Sequence, residues 1–263
     1  MNVRLRLSSL ALIAVATGVA CDKPPVTWSD PVPIDEVKGP TRLVVDAGGR
    51  AAFVADSSRT TTAPASPGLC TTSLRTIPSS AHVFSAWWNV RRDSSSVLLI
   101  ASSADSGKSW GKTVAVDTTD VSSAGCNRPP PSVATVGDDL FVAYSMIAPE
   151  GKGVFFAHSM GAMVHSPVAI IYGDRLVPTA IAAEGDNVAV AYEDPNGTRQ
   201  QVAVAFSVVQ GHIFAWHTTA SRSVDNATTP AVALAGRELA VSWATRRSSD
   251  STPTRFVRVG RIE

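Results

Sequence analysis

PSVATVGDDLFVAY, residues Pro131 to Tyr144, decides how the chain is read. A short apolar run leads into a polar Gly-Asp-Asp turn, and a second apolar run ends in a small residue followed by an aromatic. That is the pattern of a β-hairpin. The same plan returns as PTAIAAEGDNVAVAY from Pro178 to Tyr192, as PAVALAGRELAVSW from Pro230 to Trp243, and with a degenerate turn from Leu74 to Trp87. A fifth copy, Pro40 to Asp56, keeps the hairpin but ends in Asp. The small residue falls at Ala55, Ala86, Ala143, Ala191 and Ser242, with successive gaps of 31, 57, 48 and 51 residues.

Between these hairpins lie further short runs rich in Val, Ala, Phe and Ile, punctuated by Gly, Pro, Asp, Asn and Ser. Almost no segment has a 3.6-residue period with helix caps, so the class is all-β. A period near 50 with about four strands per unit fits the blades of a β-propeller. The outer strands repeat as well: WSDPV from Trp28, WGKTV from Trp110, HSPV from His165 and WHTT from Trp216. Trp28 precedes any first strand, while the last repeat, Pro230 to Ile262, offers only three strands. Residues 26–34 are therefore expected to supply the fourth strand of the last blade, closing the ring without an exposed sheet edge. The count is five blades, one incomplete; four blades plus an extra hairpin is the alternative. The short first gap means that the first blade lacks outer strands or that Ser57 to Leu69 is a loop.

The beginning of the chain has a different character. Arg4 and Arg6 precede an apolar run, Leu10 to Ala20, too short to span a bilayer, and Cys21 comes next, ahead of Asp22-Lys23-Pro24-Pro25. This resembles the signal peptide and lipobox of bacterial lipoproteins. The resemblance implies removal of residues 1–20, diacylation of Cys21 and a tether over 21–25, which leaves 26–263 for a single propeller domain. It also implies a cell-envelope location, anchored to a membrane and either periplasmic or surface-exposed.

Charge is balanced, 23 Lys and Arg against 22 Asp and Glu, and there is no basic block, which excludes nucleic acid as an expected partner. Hydrophobic content of 44% is enough for a full core. Three cysteines are an odd number for an exported protein. With Cys21 lipidated, Cys70 and Cys126 remain. Aligned on Ala86 and Ala143, they fall 16 and 17 residues earlier, at matching places in adjacent blades. A Cys70–Cys126 disulfide is expected.

Ser103-Ala-Asp105-Ser-Gly107-Lys-Ser-Trp110 matches the Asp-box, Ser/Thr-x-Asp-x-Gly-x-Thr/Ser-Trp, at every fixed position. Here the chain resembles the bacterial neuraminidase repeat proteins of the sialidase superfamily. In this motif Asp105 suits an Asx-type turn, Gly107 a left-handed backbone and Trp110 a buried face. The box sits on the side away from the binding mouth, so its expected role is structural.

The resemblance also implies an arginine clamp for a substrate carboxylate, a Tyr–Glu nucleophile pair and an Asp acid. The first arginine of such a clamp lies in an Arg-Ile-Pro motif. This chain has Arg75-Thr76-Ile77-Pro78, and the inserted Thr76 reverses the face of the residues after it unless a bulge absorbs it. The tyrosines are Tyr144, Tyr172 and Tyr192, and the first and last occupy the repeat position held elsewhere by Trp87 and Trp243, which reads as packing. No catalytic residue is assigned. Candidate ligand contacts are Arg75, then Trp88, Arg91 and Arg92 in a loop starting at Trp88, then Glu193 and Asp194, then Arg246 and Arg247. His82, His158, His165, His212 and His217 lack metal spacing and read as strand residues, and no cofactor is expected. The function these features imply is a lipid-anchored propeller that binds glycan or an envelope protein without catalysis. A divergent exo-sialidase or other glycoside hydrolase is the alternative.

Overall fold

The computed structural model describes residues 26–35, 39–56, 64–160, 163–245 and 253–263. Cys21, Arg246 and Arg247 lie outside the described residues, as do residues 57–63 of the first inter-blade segment.

In chain order the strands are β1 (Val26–Trp28), β2 (Val32–Pro33), β3 (Thr41–Val45), β4 (Ala51–Ala55), β5 (Arg75–Pro78), β6 (Val83–Val90), β7 (Ser96–Ser103) and β8 (Val114–Asp117). They continue with β9 (Ser132–Val136), β10 (Asp139–Ala148), β11 (Gly151–Met160), β12 (Met163–Val164), β13 (Val168–Gly173), β14 (Thr179–Glu184), β15 (Asn187–Glu193), β16 (Val202–Ser207) and β17 (Trp216–Thr219). The last three are β18 (Ala227–Ala235), β19 (Glu238–Thr245) and β20 (Thr254–Ile262).

These strands form five antiparallel sheets: β3–β4, β5 to β8, β9 to β13, β14 to β17, and β18 to β20 with β1 and β2 added to β20. The innermost strands pack in series, β5 on β9, β9 on β14, β14 on β18 and β18 on β3. All five first strands line one central channel. The molecule is a five-bladed β-propeller whose first blade is the lone hairpin β3–β4.

The N-terminal strand closes the last blade as the sequence implies. Val26 pairs with Ile262 and Trp28 with Gly260, and Val32 pairs with Val257 further along β20. Gly260 is needed there because a Cβ would come within 2.8 Å of the Trp28 ring. Arg258 completes the clasp, with Nε donating to the Ser29 carbonyl at 2.6 Å and the guanidinium over the Trp28 ring.

Second strands of the blades are covered on both faces, so consecutive residues are buried instead of alternate ones. Trp87 and Trp88 are adjacent and both fully buried. Apolar clusters fill the seams between the second and third blades, the third and fourth, the fourth and fifth, and the fifth and first. Among the described residues no such cluster fills the seam between the first and second blades. Cys70 and Cys126 are bridged, with Cα atoms 5.2 Å apart, tying the segment entering β5 to the segment entering β9. Closing a loop of that length restricts the unfolded chain by about 4 kcal/mol in the chain-entropy picture.

Candidate functional site

The ring has two ends. Connections from second to third strands, and the segments entering each first strand, form the mouth; the remaining turns form the base. The channel between them has a volume of about 880 Å³. Its walls are mainly Ala, Val and Thr, and its charged lining residues are Arg42, Asp56 and Arg75. All three sit toward the mouth, because β3 and β5 enter there and β4 ends there. Arg75 lies at the rim, with Nη1 donating to the Leu74 carbonyl at 2.8 Å and the Thr72 carbonyl at 3.2 Å. Ser132 and Thr179 share a hydroxyl hydrogen bond of 2.9 Å nearby.

Between the fourth and fifth blades the mouth carries a buried acid and a strained backbone. Glu193 is the last residue of β15, and its Oε1 accepts the Thr229 N–H at 3.0 Å. Thr229 has φ of 55°, in the left-handed region that a β-branched residue rarely occupies, within the irregularity of β18. Arg255 Nη1 donates to the Thr229 carbonyl at 3.1 Å and to Ser242 Oγ at 3.2 Å. Burial pushes the Glu193 carboxyl above its usual range, opposed by the Thr229 amide and by Arg175. Glu193 is thus buried, while the neighbouring Asp194 is part-exposed, its Oδ1 accepting the Asn196 N–H at 2.9 Å.

Between the second and third blades the polar groups are structural. Arg128 lies over the Trp88 ring at 4.1 Å and donates to Asp120 Oδ2 at 2.6 Å, to the Gly125 carbonyl at 3.1 Å and to Ser122 Oγ. Asp120 Oδ1 in turn accepts the Ile147 N–H at 3.1 Å. Trp88 is therefore buried in the seam and not exposed in a loop as the sequence implies. β6 runs on to Val90, three residues past the repeat's aromatic position, and carries Trp88 into the seam. Arg91 and Arg92 are exposed on the β6–β7 turn, where the Arg91 N–H bonds the Ser95 carbonyl at 2.8 Å.

The tyrosines stand away from the channel. Tyr144 donates to Asp117 Oδ2 at 2.7 Å and Tyr192 pairs with His217 Nδ1 at 3.1 Å, both buried. Burial and then the neighbouring acid, Asp117 or Asp194 respectively, push each phenol up. Tyr172 lies on β13, against Phe155.

The base carries the Asp-box and a second turn built like it. In the first, Ser103 Oγ accepts the N–H groups of Asp105 at 3.4 Å and Gly107 at 2.8 Å. The Asp105 carboxylate accepts the Ser109 N–H at 2.8 Å and its hydroxyl at 2.6 Å. In the second, Ser207 Oγ accepts the N–H groups of Val209 at 3.3 Å and Gly211 at 3.0 Å. Left-handed φ values also correspond, 60° at Ser106 and 84° at Gly107 against 56° at Gln210 and 83° at Gly211. Phe214 takes the place of Trp110. The signal in the sequence is the spacing Ser-x3-Gly-x2-aromatic, hidden because Val209 and Ile213 stand where the box has Asp105 and Ser109.

Beside this second turn three histidine rings meet. His158 and His165 stack with centroids 4.4 Å apart, and His212 lies edge-on to His158 at 4.7 Å. Burial, then His165 and His212, push the His158 imidazole down to about 4. Not all five histidines are strand residues, contrary to the sequence expectation: His82, His165 and His212 lie in connections. Among the described residues no group of side chains is arranged to hold a metal ion.

Fold and site together define a class, a five-bladed propeller with arginines at its mouth and two alike serine–glycine turns at its base. No protein-family pattern and no curated protein sequence matches the chain. Among solved structures it is similar to a Trypanosoma rangeli sialidase in complex with the inhibitor DANA, at 12% identity and a TM-score of 0.49, over 84% of this chain and 40% of that one. It is also similar to a Hadza microbial sialidase, at 15% identity and 0.47, over 69% and 45%. A protein of unknown function from Dyadobacter fermentans is similar at 11% identity and 0.45, over 92% and 100%. The chain spans less than half the length of these two sialidases, and the likeness is one of fold alone.

Proposed function

We propose that this chain is a lipid-anchored envelope protein whose propeller mouth binds an anionic glycan or protein without cleaving it. The observation that carries the reading is the placement of the tyrosines. Tyr144 and Tyr192 are buried with their hydroxyls engaged, and no described tyrosine lines the channel, so a Tyr–Glu nucleophile pair has no counterpart there. Arg42 and Arg75 at the rim, with Asp56 beside them, are the groups that would receive a carboxylate or sulfate. Anchoring through Cys21 and the envelope location rest on the sequence of the leader.

A second reading has one observation in its favour. Glu193 is a buried carboxyl with a raised pKa at the mouth, the property of a general acid. A fluorogenic sialoside assay and a glycan array on the full chain separate the two. Binding of acidic glycans with turnover no greater than a buffer blank supports the first. Turnover abolished by both Arg75→Ala and Glu193→Gln establishes the second.

A further inference from the structure

We infer that the base of the propeller is a membrane-facing surface, and that the turn from Val208 to Ile213 dips into the lipid headgroup layer beside the anchor. The inference rests on the lipidation of Cys21 proposed above and adds a contact surface and an orientation to it.

The first support is chemical. The Ser207 turn has kept the backbone hydrogen bonds and left-handed residues of the Asp-box, yet lost both polar side chains that stabilise it. Val209 and Ile213 fill those places and are 45% and 63% exposed, with Val208 beside them at 41%. A Val in place of the box's Asp cannot accept the hydrogen bonds that Asp105 accepts. In water that exchange gives up those hydrogen bonds and exposes apolar area. Against an acyl-chain boundary the three side chains gain burial.

The second support is geometric. β20 runs from the mouth at Thr254 to the base at Ile262, and Val26 pairs with Ile262. The described chain therefore begins at the base. β16 also runs from mouth to base, so the turn after Ser207 emerges at the same end, on the adjacent blade. Five residues lead from Cys21 to Val26, a reach of at most about 18 Å when fully extended. The nine residues of β20 span roughly 27 Å from mouth to base. A tether shorter than the blade cannot bring the mouth to the bilayer, whereas it brings the base there without strain.

The test uses the full chain with its own leader, extracted in detergent and reconstituted into phosphatidylethanolamine–phosphatidylglycerol vesicles containing brominated acyl chains. Ile213→Trp places a reporter on the turn. Val224→Trp places one on an exposed apolar residue at the mouth, in the segment entering β18. Both sites are exposed, and circular-dichroism melting checks that each variant folds. Bromine quenching, measured as the excess over the wild-type chain, should be at least twofold greater for Ile213→Trp. Mass spectrometry of the N-terminus is read in parallel. Acyl chains with equal quenching at the two sites overturn the membrane-facing surface and leave the anchor standing. Greater quenching at the turn without acyl chains keeps the surface and removes the anchor. Neither acyl chains nor quenching refutes both.

Discussion

The two turns at the base, Ser103 to Trp110 and Ser207 to Phe214, share a backbone and differ in what holds it. In the first, a carboxylate gathers the turn by accepting from Ser103, from the Ser109 amide and from the Ser109 hydroxyl. In the second, no carboxylate of the turn itself does this; Gln210 donates to Asp186, its N–H to the carbonyl at 2.8 Å and its Nε2 to Oδ1 at 3.0 Å, and the turn rests on an aromatic ring, since a Cβ at Gly211 would lie 2.2 Å from Phe156 Cε1. Phe156 meets Phe214 edge-on at 5.1 Å below it. One conformation is thus reached by two means, a polar clamp facing water and an apolar seat facing the core. The difference shows that the serine and the left-handed glycine specify this turn, while the aspartate is one way of securing it.

The sharpest way to break the comparison is Gly211→Ala. The residue has φ of 83°, and its Cβ has no space above Phe156. The substitution should cost about 3 kcal/mol, a melting temperature roughly 10 °C lower. A variant melting within 2 °C of the wild type would show that the turn is not seated on that ring.

Asp105→Asn should produce a smaller fall, on the order of a few degrees at pH 7. Hydrogen bonds from Ser109 and Ser103 hold the Asp105 carboxyl below its ordinary value of 3.8. A depressed carboxylate stabilises the fold above its unfolded pKa and loses that contribution as pH falls. The gap between wild type and Asp105→Asn should therefore be full above pH 4 and narrow below it. A gap of constant size between pH 6 and pH 2 would exclude the charge as its origin.

The second turn has a pH response of its own, in a different window. His158, with His165 and His212 beside it and the charge of Asp139 opposing the shift, is held neutral by burial to about pH 4, against an ordinary 6.5. Its contribution is complete above 6.5, is lost as pH falls from 6.5 to 4, and changes no further below that. Hydrogen exchange at 208–213 should speed up between pH 6.5 and 4.5, after correction for intrinsic rates, while 103–110 stays unchanged. His158→Phe, which suits a site stacked on Phe141 and Phe156, should abolish the difference.

The smallest effect is expected from repairing the second turn. Val209→Asp with Ile213→Ser restores the polar pair and should hold or raise the melting temperature by 1–2 °C or so. A marked loss of stability would mean that the two backbones are less alike than their hydrogen bonds indicate.

The fold is legible because blades repeat. Tandem hairpins ending in small-aromatic pairs, together with an orphan Trp28, are enough to place five blades and the closing strand, and matched register brings Cys70 to Cys126. The mouth is harder to read. Glu193 and Trp88 each sit at the end of a second strand, and the sequence alone does not say whether that strand stops or continues for two more residues. Trp88 reads as a solvent-facing loop residue because Trp87 completes the repeat, yet the strand runs on into a seam that buries both faces. Arg255 and Thr229 give no local sign, since their relation depends on a backbone irregularity in β18. The second base turn is hidden because its most recognisable residue has been exchanged.

The clasp of Val26 to Trp28 on β20 has a mechanical consequence. β1 runs away from the base, so a pull on the chain ahead of Val26, directed out of the base, acts along the strand axis. Hydrogen bonds of an antiparallel pair lie perpendicular to that axis, and all of them are loaded in shear at once instead of being unzipped singly. The bonds from the Ser29 N–H to the Val259 carbonyl at 2.8 Å and from Arg258 to Ser29 share the load. Under such a pull β1 should therefore leave β20 only when the whole clasp yields at once.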